Sequence, residues 1–265
     1  ESEDAEALLR DAQTALSEAK RIGRGEIRFF DPAVNDLQRE QHSLEDDLLQ
    51  AIEEAGLTLH FQPVVDLTDG RITGAEALLR WPHPERGFVA PTSFVPIAEA
   101  TGAIRPLGAW VLDEACATLR RWDEAGLTQL KIAVNVSAVQ FHDGGVYEAV
   151  TAALDRHKIE AHRLEIEITE TAALHGRAEE AQPQLAALAR RGVRVVIDDF
   201  GMGYVALTYL RTFPVSKIKI DRAFIGAVAD EPRDAAIVRG VAALGTSLGL
   251  GVQPEGIETE AQLHF

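Results

Sequence analysis

From residue 57 onward, short apolar runs alternate with longer stretches that carry apolar residues at helical spacing. The apolar runs predict seven strands, at 57–65, 72–79, 131–136, 164–169, 193–197, 216–220 and 250–254. The helical stretches lie between the later strands, at 107–125, 146–157, 179–190 and 234–248. Strands that alternate with helices are typical of a parallel sheet, which is either doubly wound or closed into a barrel. A (β/α)8 barrel has eight strands, so for a barrel we expect the last strand to be missing from this sequence.

The first 55 residues follow a different pattern. Residues 6–20 form one amphipathic helical face, residues 23–25 (Gly-Arg-Gly) end it, and residues 26–30 alternate like a strand. A helix and a strand cannot bury a core alone, so we interpret them as the tail of another domain. The charged stretch 33–55 then has a helical repeat of Leu37, Leu44, Leu48 and Ile52. Two interpretations of this stretch stay open: a signalling linker, or a first helix that packs on the next domain.

Composition and charge narrow the class of protein. Hydrophobic residues make up 46% and charged residues 26%, which is ordinary for a soluble globular domain. No apolar run reaches the roughly 18 to 20 residues of a membrane helix, and no signal peptide opens the sequence. The net charge of −16 argues against DNA or RNA as a partner, because affinity for long nucleic acids comes from Lys and Arg. The single cysteine, Cys116, excludes an internal disulfide and favours core packing in a cytoplasmic protein.

Oxygen-bearing side chains occur in or at the ends of five predicted strands. They are Glu76, Asn135, Glu167, Asp198, Asp199 and Glu255. Because the carboxyl ends of barrel strands form one rim, we expect these side chains to meet in a single bowl. Carboxylates packed this closely repel unless cations lie among them, and oxygen ligands suit Mg²⁺ or Mn²⁺.

The strand at 164–169 alternates acidic and apolar residues. Its apolar face holds Leu164, Ile166 and Ile168, and its polar face holds Glu165, Glu167 and Thr169. On an open antiparallel sheet such a polar face is simply solvated, whereas inside a barrel it points inward and needs a partner. The next buried strand, at 193–197, is followed by Asp198 and Asp199. One acid there could cap a helix, but two in succession favour a metal site.

Two other motifs carry less weight. Residues 201–206 fit the pattern G-x-G-x-x-A after a strand, but two acids directly precede them and no acidic partner follows at a strand end. The eight histidines show no H-E-x-x-H spacing. We therefore exclude both dinucleotide binding of the Rossmann type and a zinc hydrolase.

Seven ordered segments carry a resemblance to a known family. They are LHFQPVVDL, RWPHPERGFVAPTSFVPIAEATG, VNVSAVQF, LEIEITE, IDDFGMGY, KIKIDRAFI and PEGIETEAQ. These segments lie on both sides of Glu76-Ala77-Leu78. The chain from residue 44 onward therefore resembles the EAL family. The resemblance implies an α/β fold, a TIM-like (β/α)8 barrel of EAL type that here lacks its last strand. It also implies hydrolysis of cyclic-di-GMP to linear pGpG with two Mg²⁺ or Mn²⁺ ions.

The resemblance implies roles for individual residues around the metal ions. Glu76, Asn135, Glu167 and Asp198 resemble ligands of the first ion, and Asp198 bridges to a second ion that Asp199 also binds. Lys219 resembles the residue that holds the attacking water. Glu255 matches a carboxylate near that water, which acts as general base or orients it.

Other matched positions concern the substrate and a neighbouring loop. Arg80 resembles an arginine that grips a substrate phosphate, while Gln62, Asp221 and Glu258 match positions that line the guanine pockets. Glu170 resembles a glutamate that anchors the loop after Asp199, although a place beside a helix N-cap competes with that role. We place Glu76, Glu170, Lys219 and Glu255 in the predicted catalytic set.

The sequence departs from the family pattern in the loop after the Asp pair. Met202 stands where the family usually has Thr, and Val205 and Ala206 replace serines. In the family that loop couples dimerisation to metal binding, so the changes bear on regulation. The chain also ends before the usual final strand.

The N-terminal tail resembles the end of a GGDEF (diguanylate cyclase) domain and contains none of its catalytic loop. We predict a GGDEF remnant at 1–32, a linker at 33–43 and a C-terminally incomplete EAL domain at 44–265. We also expect an upstream sensory or GGDEF domain in the full-length protein, a homodimer through the EAL domain, and any membrane anchor outside this sequence.

Three functions stay open at this point. The first is an active metal-dependent cyclic-di-GMP phosphodiesterase, which the complete set of acidic ligands favours. The second is a catalytically silent cyclic-di-GMP receptor, which the altered loop around Met202 favours. The third is a regulatory protein contact without nucleotide.

Overall fold

The computed structural model describes residues 32–54, 56–169, 178–201 and 210–265, with eight isolated positions before residue 32. Those eight positions are helical, as predicted for residues 6–20. The predicted strand at 26–30 lies outside the described residues.

Eight strands form one curled sheet. They are β1 (Thr58–Val65), β2 (Ile72–His83), β3 (Gly87–Val89), β4 (Lys131–Asn135), β5 (Leu164–Thr169), β6 (Arg194–Phe200), β7 (Val215–Ile220) and β8 (Gly251–Pro254). Their order is β1-β2-β4-β5-β6-β7-β8, with β3 paired to β2 at the side. From β2 to β8 the neighbours along this path are parallel. The sheet curls into a half-barrel, which confirms the α/β barrel-like fold and all seven predicted strands. The short β3 was not predicted.

The first strand departs from the expected parallel arrangement. β1 runs antiparallel to β2, and Gln62 lies directly opposite Glu76. Residues 66–71 alone connect the two strands, which is too short for the crossover that a parallel pair requires. Asp66 fixes this turn, because its side chain accepts a hydrogen bond from the Thr68 amide at 2.8 Å and its carbonyl accepts one from the Gly70 amide at 2.9 Å.

Helices cover the outer face of the sheet. They are α1 (Pro32–Glu53), α2 (Pro91–Thr101), α3 (Ile104–Glu124), α4 (Gly145–His157), α5 (Ala178–Arg191), α6 (Arg222–Gly226), α7 (Pro232–Leu248) and α8 (Glu260–His264). Single 3₁₀ turns lie at Ala138–Gly144 and Ala161–Arg163. The four helices predicted between the later strands are confirmed as α3, α4, α5 and α7. Their apolar stripes pack on the apolar residues of β4 to β7, so the main core lies outside the barrel interior.

The helix predicted at 33–55 is confirmed as α1, and its second half packs on the domain. Leu44 and Leu48 are buried in a smaller core with Trp81 and Phe94. Polar contacts join the same elements, since Asp47 Oδ2 lies 3.2 Å from His83 Nε2. This packing favours the interpretation of α1 as a first helix of the domain. The division into 1–32, 33–43 and 44–265 stays a prediction.

In the part of the chain that the structure describes, none of the helices has both the length and the apolar character that crossing a membrane requires.

Candidate active site

The predicted metal ligands gather where the parallel strands end. Glu76 lies on β2, Asn135 ends β4, Glu167 lies on β5, Asp198 and Asp199 lie on β6, and Glu255 follows β8. Strand register places Asn135 opposite Glu167 and Thr169 opposite Asp198. The Asn135 amide donates a hydrogen bond to Glu76 Oε1 at 2.7 Å, which ties β4 to β2 at this level.

Lys219 on β7 is the centre of the cluster. Its ammonium lies 3.0 Å from Glu76, 2.8 Å from Glu167, 3.2 Å from Asp198 and 2.6 Å from Glu255. The side chain is only 1% exposed. Burial by itself lowers the pKa of Lys219, but the carboxylates of Glu167, Asp198 and Glu76 outweigh it and hold the pKa well above its usual range. Lys219 is therefore a permanently charged, fixed donor.

The acids form two groups that share one residue. Glu76, Glu167 and Asp198 offer oxygens within 4.8 Å of one another, and so do Asp198, Asp199 and Glu255. Asp198 belongs to both groups. The geometry therefore has the form of two adjoining oxygen sites with a common carboxylate.

A bulge in β6 brings the two successive acids to the same side. In a regular strand, neighbouring side chains point to opposite faces, so Asp198 and Asp199 would be separated. Here the pairing of β6 with β7 shifts register between Ile197 and Phe200. Asp199 takes a left-handed backbone with φ of 53°, which Asp tolerates better than most residues. The Asp199 amide donates to Asp198 Oδ1 at 2.9 Å, and its own carboxylate joins Glu255.

Burial makes this cluster electrostatically unfavourable on its own. It raises the pKa of Glu167 to about 8, with Glu76 and Asp198 adding to the effect and Lys219 opposing it. It also raises the pKa of Asp199 to about 6, with Asp198, Asp221 and Glu255 adding to the effect. The pKa of Glu255 is raised by burial too, and Lys219 opposes that shift. The cluster therefore favours bound protons or bound cations over free carboxylates.

A cavity of about 940 Å³ opens beside the cluster. Its wall includes Glu76, Asp198, Lys219 and Glu255, and also the predicted substrate contacts Gln62 and Glu258. Its size is in the range of pockets that bind small molecules and cofactors.

Two other predicted substrate contacts are placed differently. Arg80 is half-buried on β2 and is not on the cavity wall, and its Nη1 donates to the carbonyl of Leu79 at 2.9 Å. Asp221 caps α6 by accepting a hydrogen bond from the Ala223 amide at 2.7 Å. Asp221 also lies close enough to Asp199 to contribute to the raised pKa of that carboxyl group.

Four residues of the sequence argument lie outside the described residues. They are Glu170, Met202, Val205 and Ala206.

Comparison with known proteins gives this site its context. The family model for the EAL domain matches residues 45–265, which is most of the chain. The chain belongs to the EAL domain family.

Two curated relatives of this chain are much longer than the chain itself. MucR of Pseudomonas aeruginosa, named a bifunctional diguanylate cyclase/cyclic di-GMP phosphodiesterase, is 45% identical over 258 residues, which is 97% of this chain and 38% of MucR. The cyclic di-GMP phosphodiesterase NbdA of the same organism is 38% identical over 265 residues, which is 100% of this chain and 34% of NbdA. The chain thus spans about a third of the length of these relatives.

A solved EAL structure is similar in fold. The complex of the P. aeruginosa MucR phosphodiesterase with c-di-GMP superposes with a TM-score of 0.78 at 46% identity, covering 84% of this chain and 90% of that one.

The residues of this EAL domain fit divalent cations. All charged donors in the two groups are carboxylates, with the Asn135 amide adjacent, and hard cations such as Mg²⁺ and Mn²⁺ prefer oxygen ligands. A single buried ammonium stands among five carboxylates, so the centre keeps a strong negative charge that cations would neutralise.

The inward-pointing Glu165 was predicted, but its partners in a second polar layer were not. Below the cluster, Lys217 lies 2.5 Å from Glu165 and 3.2 Å from Gln253. The signal was present, because Glu165 shares a face with Glu167 and Lys217 shares one with Lys219.

Proposed function

We propose that this EAL domain hydrolyses cyclic-di-GMP to linear pGpG with the help of two divalent cations, Mg²⁺ or Mn²⁺. The observation that carries the proposal is the pair of carboxylate groups that share Asp198 around a buried Lys219. The likeness to relatives named cyclic di-GMP phosphodiesterases supports the same reaction.

The proposed metal ligands are those that the geometry groups together. Glu76, Asn135, Glu167 and Asp198 would hold one ion, and Asp198, Asp199 and Glu255 surround the place of the other. When bound, such a pair of ions neutralises the phosphodiester charge and lowers the pKa of a water molecule. The bulge at Asp199 holds the second group in place.

Lys219 and Glu255 are the proposed groups for handling the attacking water. Lys219 is charged at neutral pH and fixed by its contacts, so it can orient a water molecule and favour its deprotonated form. Glu255 lies on the cavity wall 2.6 Å from Lys219, so its carboxylate is within reach of a water molecule that Lys219 holds and could accept its proton. The expected catalytic role of Glu170 stays a prediction.

The substrate would lie in the cavity next to this centre. Gln62 and Glu258 line that cavity and can hydrogen-bond guanine edges. For Arg80 to bind a phosphate, its guanidinium must leave the Leu79 carbonyl and turn toward the cavity. Asp221 would act through Asp199 in this proposal.

The wider context is also a proposal. We propose that the chain is part of a longer protein with an upstream GGDEF or sensory region, since the similar relative MucR is much longer and is named for both activities. A GGDEF origin for residues 1–32, a homodimer and a cytoplasmic location stay predictions.

The proposed function is tested by incubating the protein with cyclic-di-GMP and Mg²⁺, Mn²⁺ or EDTA, and following pGpG by chromatography. We expect product with either metal, none with EDTA, and none from a Glu76→Ala variant. Tight binding without product in the intact protein would reject the phosphodiesterase and support the receptor. No binding at all would support the contact without nucleotide.

A further inference from the structure

Basic residues are scarce on the cavity wall, and most of them are already paired. The wall contains Lys131, Lys217, Lys219 and Arg222. Lys219 contacts four carboxylates, and Lys217 and Lys131 lie 2.5 Å and 3.9 Å from Glu165. Within the described residues, Arg222 makes no ion pair. It is therefore the cation on this wall that is free to meet an anionic ligand.

The position of Arg222 is fixed by the elements on both sides. Arg222 is the first residue of α6, and the preceding Asp221 caps that helix through the Ala223 amide. On the other side, Gly256 lies against the Arg222 side chain, because a Cβ at Gly256 would come within 2.6 Å of the Arg222 Cβ. Gly256 also has a φ of +70°, which favours glycine.

This placement puts Arg222 beside the residues that face the substrate. Glu255 and Glu258 flank Gly256 in the chain, and all three line the cavity together with Arg222. The Arg222 side chain is exposed, so its guanidinium can reach into solvent-filled space without loss of an existing contact.

A cyclic dinucleotide presents a charge problem at such a wall. It carries two phosphodiesters, and only one of them is hydrolysed at a time. The other keeps its negative charge in a cavity whose wall also carries the Glu255 and Glu258 carboxylates. A guanidinium offers two parallel N–H donors that match phosphate oxygens, and such charge-assisted bonds are among the stronger polar contacts.

We propose that Arg222 binds the phosphate of cyclic-di-GMP that is not being hydrolysed. This assignment rests on the proposed function and makes Arg222 a substrate-binding residue rather than part of the metal centre. Its contribution is to substrate affinity, so its loss weakens binding and leaves the chemical step intact.

The experiment compares Arg222→Gln with wild type and with Arg233→Gln. The control removes the same charge from an exposed arginine on α7 that does not line the cavity. KM and kcat for cyclic-di-GMP are measured with Mg²⁺, and the Kd for Mn²⁺ is measured without nucleotide. We expect Arg222→Gln to raise KM roughly tenfold, as the loss of one charge-assisted bond does, with kcat and the Mn²⁺ Kd within about twofold of wild type. Arg233→Gln should match wild type.

Three results would overturn the inference. An unchanged KM in Arg222→Gln would show that the guanidinium does not meet the substrate. A parallel loss of kcat and Mn²⁺ affinity would show that Arg222 supports the Glu255 loop instead. An equal rise of KM in Arg233→Gln would show a general charge effect. Failure of the proposed function is seen separately, because the wild-type protein would then give no pGpG. In that case the effect of Arg222→Gln would be measured on the Kd for cyclic-di-GMP.

Discussion

Two layers of charged side chains lie in the barrel interior on the same strands, and they differ in their balance of acidic and basic groups. In the upper layer, Lys219 of β7 faces Glu167 of β5 together with three further carboxylates. In the lower layer, two residues earlier on each strand, Lys217 faces Glu165. Lys131 of β4 lies 3.9 Å from the same Glu165, so cations outnumber acids there.

The difference lies in how each layer balances its charge. The lower layer pairs its one buried acid with lysines that are partly exposed to the cavity, and it holds β4, β5 and β7 together. The upper layer collects acids around one buried lysine and raises the pKa of Glu167. A layer built only for stability would not keep this excess of acid, because uncompensated buried charge is strongly unfavourable. We therefore assign the proposed function to the upper layer and a supporting role to the lower layer.

The largest expected contrast comes from replacing the two lysines separately. Lys219→Met removes the fixed donor for the attacking water, so we expect the hydrolysis rate to fall by about a hundredfold or more. Lys217→Met removes a support contact, so we expect kcat within about threefold of wild type and a lower melting temperature. Steady-state kinetics and thermal denaturation of both variants check this. Equal losses of kcat would remove the distinction between the layers.

A second contrast concerns stability and uses the two glutamates of β5. Glu165→Gln leaves Lys217 without its charged partner, and we expect the unfolding free energy to fall by about 2 kcal/mol, since Lys217 is still partly solvated. Glu167→Gln removes only one of the four carboxylates around Lys219 and relieves the repulsion from Glu76 and Asp198, so we expect less than about 1 kcal/mol of change without metal. Denaturant unfolding in EDTA measures both. A larger loss in Glu167→Gln would contradict the excess of negative charge that we assign to the upper layer.

Much of this contrast is accessible from sequence, and part of it is not. Alternation in β5 places Glu165 and Glu167 on one face, and the strand-end positions of Glu76, Asp198 and Glu255 predict a shared rim. The sequence pattern does not predict the bulge that turns Asp199 inward, because the bulge depends on how β6 pairs with β7. The antiparallel pairing of β1 with β2 follows from the short connection at residues 66–71.

The contacts of Lys219 also lay beyond prediction. The resemblance to the EAL family implied a place near the attacking water, but contact with four carboxylates depends on how five strands are arranged in space. The close approach of Gly256 to Arg222 was likewise beyond prediction, because the two residues are distant in sequence.

A third prediction uses pH to change the protonation of the upper layer. Glu167 and Asp199 bind protons more tightly in the folded than in the unfolded chain, so the unfolding free energy of the metal-free protein falls as pH rises. We expect a decline of several degrees in melting temperature up to pH of about 8, the pKa of Glu167, and a smaller decline in Glu167→Gln. Mg²⁺ should raise the melting temperature most at high pH, because fewer protons then compete with it for the carboxylate ligands. A melting temperature that rises over this interval in EDTA would be inconsistent with the raised pKa values.

The smallest expected contrast comes from two glycines of the β8 region. Gly256→Ala meets Arg222 and strains a positive φ, so we expect Glu255 to shift and kcat to fall by up to about tenfold. Gly251→Ala, beside Lys217 in the lower layer, has its nearest neighbour at 3.4 Å and should change kcat little. Kinetics of the two variants provide the check. A kcat in Gly256→Ala equal to that of Gly251→Ala would show that the Glu255 loop tolerates displacement.

The central claim is that the upper layer holds two cations that share Asp198 and that the lower layer holds none. Electron paramagnetic resonance of the protein titrated with Mn²⁺ tests it most directly, with Asp198→Asn and Glu165→Gln as paired variants. We predict two Mn²⁺ per chain with the spectrum of a magnetically coupled pair, loss of the coupling in Asp198→Asn, and an unchanged signal in Glu165→Gln. An uncoupled signal in wild type, or loss of Mn²⁺ binding in Glu165→Gln alone, would contradict the account.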